Sequence, residues 1–340
     1  MNRCLILLLL GLATVAWGRF KLDLDKILDD DEVEQFSKFR SRFKKNCTDG
    51  ADECKKRKKN FAANWKRMKK VNQSSFTVGE TQFMDWSPEE MQKMVFDPSR
   101  LPITKNHTKN VPQMVRQKRA NIGTLDYRTF DFVGPIKNQG GCGSCWAFSS
   151  VAAIEIASNK KNGRTGANKR TYSEQYVLDC TSGSTCVGGW PSAAQTLVVH
   201  QGLPRAQYLA YNGVKGTCPA TTVEKPLIGL VDLTNNADRI ITHLQTTGPV
   251  VACFIVCSDF YYYTSGIYSN NCKYQGAGYV GGHAVTIIGY GTENGMDYWL
   301  VRNSWGTGWG IQGYFKIQRG VDMASFESWE VTAPLPATIA

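Results

Sequence analysis

Lys137-Asn138-Gln139-Gly140-Gly141-Cys142-Gly143-Ser144-Cys145-Trp146-Ala147-Phe148 is the segment that decides the reading of this 340-residue chain. A glycine-rich turn runs straight into an apolar stretch, and a cysteine stands at the junction. From Trp146 to Asn162, apolar Trp146, Phe148, Val151, Ala152, Ile154 and Ile156 recur at mixed three- and four-residue spacings before Asn162-Gly163, which predicts a buried helix with a glycine stop. Cys145 then opens that helix. There the unsatisfied N–H groups and the positive end of the dipole favour a thiolate, and a neighbouring imidazolium favours it further.

A nucleophilic thiol needs a base within hydrogen-bond reach and a third group to hold that base. Of the four histidines, His107 lies in a polar linker, and His200 and His243 sit in amphipathic stretches. His283 stands in Gly281-Gly282-His283-Ala284-Val285, at the start of an apolar run that reads as a buried strand, so its ring is aimed rigidly. About twenty residues on, Asn303 ends another strand with an amide able to orient the imidazole, and Trp305 can cover that bond from water. Taken singly, each has a plainer explanation: Cys145 as a small core hydrophobe, His283 as a satisfied core or surface group. Their conjunction carries the assignment. A zinc site fits poorly, because the Cys142/Cys145 pair lacks a second Cys or His pair; no metal or cofactor is expected.

KNQGGCGSCWAFS, Cys186-Val-Gly188-Gly189-Trp190-Pro191, GGHAV and NSWGTGWG occur in the order and rough spacing of the papain-like cysteine proteases. The chain resembles the cathepsin L type of that family. The resemblance implies an α+β, papain-like two-domain fold preceded by a helical propeptide domain, with the peptidase over residues 120–340. A helical part (about 131–230) would carry Cys145, a β-barrel-like part (about 231–333) would carry His283 and Asn303, and the pair would meet across the interface. Short strands are expected near Val231 to Leu233, Gly248 to Val256, Ala284 to Tyr290, Tyr298 to Arg302 and Tyr314 to Gln318.

The same resemblance implies roles. Cys145 is the nucleophile, His283 general base then acid, and Asn303 the orienting residue. Gln139 is a side-chain donor to the oxyanion beside the Cys145 backbone N–H. Trp190, Pro191, Cys253 and Ala284 would line the pocket for the second residue before the scissile bond, favouring bulky apolar side chains; Gly188, Gly189 and Trp305 complete the substrate-binding set. Glu330 has two readings: an exposed carboxylate near the C-terminus, or a pocket-floor acid that also admits Arg or Lys, as in cathepsin B. Gly282 stands where papain has an aspartate, a departure that bears on the pH profile. A cysteine endopeptidase is therefore expected, acting through an acyl-enzyme on protein and peptide substrates. The alternatives are an exopeptidase of the same family, or a non-catalytic protease-fold binding or inhibitor protein; the stretch from Cys186 to Cys218 holds no long extra loop or paired histidines of the kind an exopeptidase needs.

Upstream, residues 1–18 read as a signal peptide: Arg3, an apolar run from Cys4 to Ala16, and small residues at the cleavage positions. No stretch approaches the roughly 20 apolar residues of a membrane span. Net charge is +11, but +10 of it precedes Ala120 and only +1 follows. The basic runs Lys55–Lys59 and Lys66–Lys70 read as the solvated face of a helix, and the signal peptide argues against nucleic acid as a partner. Glu53, Arg57, Phe61, Asn64, Met68 and Asn72 form one helical face resembling the interspersed propeptide motif of cathepsin L-type zymogens. Gly79-x-Thr81-x-Phe83-x-Asp85 resembles its companion. An earlier helix, Asp31 to Lys45, would cross it through Phe36, Phe39 and Phe43, with Trp65 and Trp86 filling the space between. Such a propeptide (residues 19–119), as the resemblance implies, runs backward through the cleft and masks Cys145 until cleavage.

Arg116-Gln117-Lys118-Arg119 looks like a convertase site, with self-trimming in acid as the alternative. Asn46, Asn72 and Asn106 head glycan acceptor triplets. The expected location is the secretory route, ending in lysosome or extracellular fluid, as a monomer; cystatin-like proteins are implied as inhibitors. Among 11 cysteines, Cys4 leaves with the signal, and Cys47 and Cys54 lie in the leader, where they can pair. The resemblance implies Cys142 with Cys186 and Cys180 with Cys218. The family's third bridge would join Cys272 to a cysteine near Ser325, which is absent; Cys257 with Cys272 is the suggested substitute, leaving a further thiol free.

Overall fold

A computed structural model describes residues 30–97, 99 and 123–339. The signal peptide, His107, Asn106 and the Arg116–Arg119 tetrapeptide lie outside the described residues. Those described fall into two compact units, one of residues 30–70 and 84–86, the other of residues 71–83 and 87 onward.

The first unit is a helical hairpin. Helix α1 (Asp30–Arg42) and helix α2 (Asp52–Lys69) meet through phenylalanines: the Phe61 ring lies 5.4 Å from Phe36 and 5.1 Å from Phe39. Trp65 stacks on Phe61 at 5.6 Å but stays half-buried, as does Trp86, so the filling expected of the indoles is done by Phe36, Phe39 and Phe61. Acidic Asp52 and Glu53 open α2 and Lys66, Arg67 and Lys69 close it, each sign suiting its end of the dipole. Asn64 donates from Nδ2 to the Met84 and Trp86 carbonyls at 2.9 and 2.8 Å, and Lys45 pairs with Asp85 at 3.0 Å. These bonds hold residues 84–86 against the hairpin. Asn72, expected on the helical face, lies beyond the end of α2 and is exposed. Asn46 is also exposed.

The second unit begins with leader chain: strand β1 (Phe76–Val78), then a short helix α3 (Pro88–Gln92) opened by a Ser87/Glu90 capping box. After strand β2 (Leu125–Asp126) come helices α4 (Cys145–Lys161), α5 (Glu174–Cys180) and α6 (Pro191–Gln201). Helix α4 is buried from Cys145 through Asn159, which explains why its apolar residues follow no single stripe: a helix wrapped on all sides needs none. Strands β3 (Leu227–Asp232), β4 (Val250–Cys257), β5 (Tyr263–Tyr268), β6 (Tyr279–Glu293), β7 (Met296–Arg302), β8 (Tyr314–Gln318) and β9 (Val331–Pro336) follow, with helix α7 (Ala237–Thr246) between β3 and β4. They form one sheet in the order β1-β5-β8-β7-β6-β4-β9-β3, with β2 on β6. The sequence reading missed β1, β2, β5 and β9; the two prolines of β9 hide a strand that nonetheless pairs with β3 along most of its length.

Register matters most between β4 and β6, where Cys253 faces Ala284, Phe254 faces His283 and Ile255 faces Gly282. Thr286 Oγ1 donates to the Ser149 carbonyl at 3.0 Å, fastening β6 to α4. Strand β1 pairs antiparallel with β5. Gly266 is required there: at φ +83°, a Cβ would stand 2.5 Å from the Ser75 carbonyl oxygen.

Among the described residues, disulfides join Cys47–Cys54, Cys142–Cys186, Cys180–Cys218 and Cys257–Cys272, and Cys145 and Cys253 are free. Cys272 is thus bonded to the end of β4 instead of to the segment around Ser325. That segment is held by other means: Glu327 accepts from the Trp299 indole at 2.9 Å and the Gly320 amide at 2.7 Å. Removing the bridge with Cys257→Ser and Cys272→Ser together is expected to lower stability by about 3 kcal/mol, the loop-closure value for a ring of this size, in urea unfolding. A non-reducing peptide map should show the two linked, and finding both alkylated would contradict the pairing.

Candidate active site

Cys145 is the first residue of α4 and is wholly buried. Its Sγ accepts from the Ala284 amide at 3.5 Å. Burial pushes the thiol up to about 12, outweighing the amides of Ala284, Trp146 and Cys145 that favour the anion. The helix start alone therefore does not make a thiolate while the site is covered.

His283 sits in β6 beside that amide. Its Nε2 lies 2.8 Å from Asn303 Oδ1, which also accepts from the Ser304 amide at 2.8 Å. The second bond settles which end of the Asn303 side chain is oxygen, so Nε2 carries the hydrogen and Nδ1 is left with the lone pair. Nδ1 is buried with no hydrogen-bond partner among the described residues. Trp305 covers the ring at 4.7 Å and Phe254 lies 5.9 Å away. Burial holds the imidazole down at about 4. A neutral thiol and a neutral imidazole are the consistent pair in this covered state.

Gln139 comes from the turn before α4 and is pinned by its own backbone, whose amide donates to the Ser304 carbonyl at 2.9 Å. Its Oε1 accepts from Ser304 Oγ at 2.7 Å, which turns Nε2 toward the site. Nε2 donates to the carbonyls of Cys142 and Met94, both at 2.8 Å. Met94 belongs to the leader. A peptide carbonyl of the leader is thus already held by the amide that the sequence reading assigned to an oxyanion.

The leader runs on through the site in both directions. Thr81 Oγ1 donates to the Tyr261 carbonyl, Phe83 meets Trp305 edge-on at 5.6 Å, and Tyr261 donates to the Met91 carbonyl at 2.9 Å. Past Met94, Phe96 and Gly282 exchange both backbone hydrogen bonds, at 2.8 and 2.7 Å.

Residues 123–334 match the papain family cysteine protease model, and residues 36–91 match the cathepsin propeptide inhibitor domain. The chain belongs to the papain family of cysteine proteases. Its similarity to "Pro-cathepsin H" of Medicago truncatula is 33% identity over 88% of this chain and 86% of that one. "Cathepsin B-like CP2" of Giardia intestinalis is 36% identical over 58% and 71%. The solved structure of digestive procathepsin L2 from Tenebrio molitor larval midgut superposes with a TM-score of 0.74 at 31% identity, covering 89% of this chain and 99% of that one. This papain-family protease therefore carries an inhibitory propeptide, and the α+β papain-like fold with a preceding helical propeptide holds.

Beyond Cys145 and His283, the protease has a pocket that the leader fills. The Phe96 ring packs with Trp190 at 5.8 Å and with Trp329 at 5.5 Å, in a buried cluster that includes Cys253 and Ala284. Trp329 and Phe96 went unrecognised in the sequence; the signal that could have found Phe96 was the apolar Met94-Val95-Phe96 run. Gly189 lets the chain pass close, since a Cβ there would stand 2.6 Å from the Trp146 ring. Gly188 precedes it, bridged to Thr185, and Pro191 opens α6. Trp305 lies over His283 and edge-on to Phe83 of the leader.

Glu330 is buried, so the exposed-carboxylate reading is set aside. Its Oε1 accepts from the Ser192 amide at 2.8 Å, serving the first turn of α6, which Trp190 leaves without a side-chain cap. Oε2 is buried with no partner among the described residues, and burial raises the carboxyl to about 7. Among the described residues no helix is long and apolar enough to cross a membrane, and no three His, Cys, Asp or Glu side chains gather as a metal site would require.

Proposed function

We propose that the chain is a cysteine endopeptidase made as a zymogen, with Cys145 as nucleophile, His283 as base then acid, Asn303 as orienting residue and Gln139 as oxyanion donor. The observation that carries this is the Gln139 Nε2 bond to the Met94 carbonyl beside the Cys145–Ala284 contact. The amide proposed to serve the oxyanion thus already holds a peptide carbonyl. With the leader gone, the thiol proton passes to His283 Nδ1, the thiolate attacks the substrate carbonyl, and the imidazolium protonates the leaving amine. His283 then takes a proton from water, and the hydroxide releases the acyl group.

Endopeptidase action is favoured over trimming of chain ends because leader chain lies on both sides of the catalytic group, from Thr81 to Phe83 and again at Phe96. A groove passing a polypeptide on both sides suits cleavage within a chain. The leader meets Gln139 before it meets the Phe96 pocket; a substrate whose second residue before the scissile bond enters that pocket runs the other way. The reversed direction accounts for inhibition without cleavage. The signal-like residues 1–18 and the Arg116–Arg119 tetrapeptide support a secretory route to lysosome or extracellular fluid, with processing before Ala120.

The test is to activate the protein, treat it with a peptide epoxide under reducing conditions, and profile cleavage of a peptide library. Label on Cys145 with internal cleavage supports the reading; label elsewhere, or release of single terminal residues only, refutes it. Gln139→Ala is expected to lower kcat by roughly 10²- to 10³-fold with KM little changed, in steady-state kinetics. Glu330 gives a pH-dependent result. Its carboxyl, raised to about 7, is neutral in acid and ionised above neutrality, so cleavage of Arg relative to Leu peptides should rise as pH passes through about 7. That rise should vanish in Glu330→Gln.

A further inference from the structure

We propose that the Tyr211 hydroxyl positions the oxyanion-binding turn: by tying the Gln139 carbonyl to the Ser144 hydroxyl, it keeps the Gln139 amide and the first N–H groups of α4 aimed where charge develops. This deepens the proposed function and rests on its roles for Gln139 and Cys145. Both donors come from one short turn, residues 139–145, which contains Gly140, Gly141 and Gly143 and passes through φ +61° at Gly140. Such a turn has little stiffness of its own. Its middle is pinned by the Cys142–Cys186 bridge and by the Gly143 amide, which donates to the Cys186 carbonyl at 2.8 Å. Tyr211 joins its two ends.

The hydrogens decide which group donates. Tyr211 Oη donates to the Gln139 carbonyl at 2.8 Å, and a phenol has one hydrogen, so in the 2.8 Å bond between Ser144 Oγ and Tyr211 Oη the serine is the donor. Burial raises Tyr211 to about 12, so the hydroxyl keeps its hydrogen through neutral pH. Ser144 stands at the N-cap of α4, where a serine oxygen ordinarily accepts from the second or third amide of the helix; here it makes no such bond. The second amide, that of Trp146, is left to the Cys145 sulfur, together with the amide of Cys145 itself. Phe148, in the first turn of α4, meets the Tyr211 ring edge-on at 4.7 Å, and the Asn212 amide donates to Gln175 Oε1 of α5 at 3.0 Å. The ring is thus braced from two helices. A ring that only filled space would need no hydroxyl here.

Two measurements test this. Tyr211→Phe keeps the ring and removes the hydroxyl, and the variant is assayed beside wild type in processed form, at a temperature where both are folded. It should lower kcat on a peptide substrate by about 10- to 100-fold with KM within about twofold. That loss should shrink by at least about threefold when Gln139→Ala is already present, because the amide to be aimed is gone. An unchanged kcat, a loss confined to KM, or the same fold-loss in both backgrounds overturns the proposal.

The second measurement needs no turnover. Alkylation of Cys145 by iodoacetamide in the processed protein is followed against pH. Tyr211→Phe frees Ser144 to cap the Trp146 amide, so the sulfur loses a donor and the pH of half-maximal rate should move up by about 0.5 or more. No movement overturns the proposal even if kcat falls. A shift in a protein that cleaves no peptide would sink the proposed activity and leave the Tyr211 tie standing.

Discussion

Cys145→Ala in the activated protein is expected to lower kcat/KM on an unfolded polypeptide by at least about 10⁴-fold, because members of a catalytic unit fail together when one is lost. The competing thiol is Cys253, also free and also buried. Burial together with Glu330 drives the Cys253 thiol well above its ordinary value, so it is a poor nucleophile. A peptide epoxide should label Cys145 alone, mapped by mass spectrometry of the digest. Residual activity within about tenfold of wild type, or label on Cys253, would remove Cys145 from its role.

The second large effect concerns the intact chain. With the leader in place the Cys145 thiol stands at about 12, which leaves roughly one thiolate in 10⁵ at pH 7, whereas imidazole-paired thiolates in open sites are largely ionised. Alkylation of Cys145 by iodoacetamide should therefore be at least about 10³-fold slower in the intact chain than after processing. The intact chain's rate should climb steadily with pH up to about 12, while the processed rate stays flat around neutrality. Equal rates in the two forms would mean that the leader does not shield the sulfur. Uncovering moves a proton from sulfur to imidazole inside the site, so this step takes up none from solution, and any acid dependence of activation has to arise elsewhere.

His283 adds a stability consequence of opposite sense. Its folded value is depressed from 6.5 to about 4, so the unfolded chain binds the proton more readily. Stability from this group is complete above 6.5 and declines as pH falls toward 4. His243, also held at about 4 by burial, acts in the same direction. Thermal unfolding of the full chain should accordingly occur at lower temperature at pH 4 than at pH 7, and His243→Gln should reduce that difference.

The sequence by itself determined a good deal. The helix behind Cys145, the strands around His283 and Asn303, the phenylalanine hairpin of the leader and the Cys257–Cys272 suggestion were legible because each rests on local periodicity or on counting. What escaped it was non-local. Strand β9 was hidden by prolines that its pairing with β3 tolerates. The burial of Glu330 depends on the start of α6, 138 residues away. No pattern in the chain announces that Phe96 lies between Trp190 and Trp329, or that Met94 meets Gln139. The protonation of the site was likewise decided by tertiary structure: a helix start favours a thiolate, but the packing around Cys145 takes the water away, and desolvation is the larger force on a buried charge.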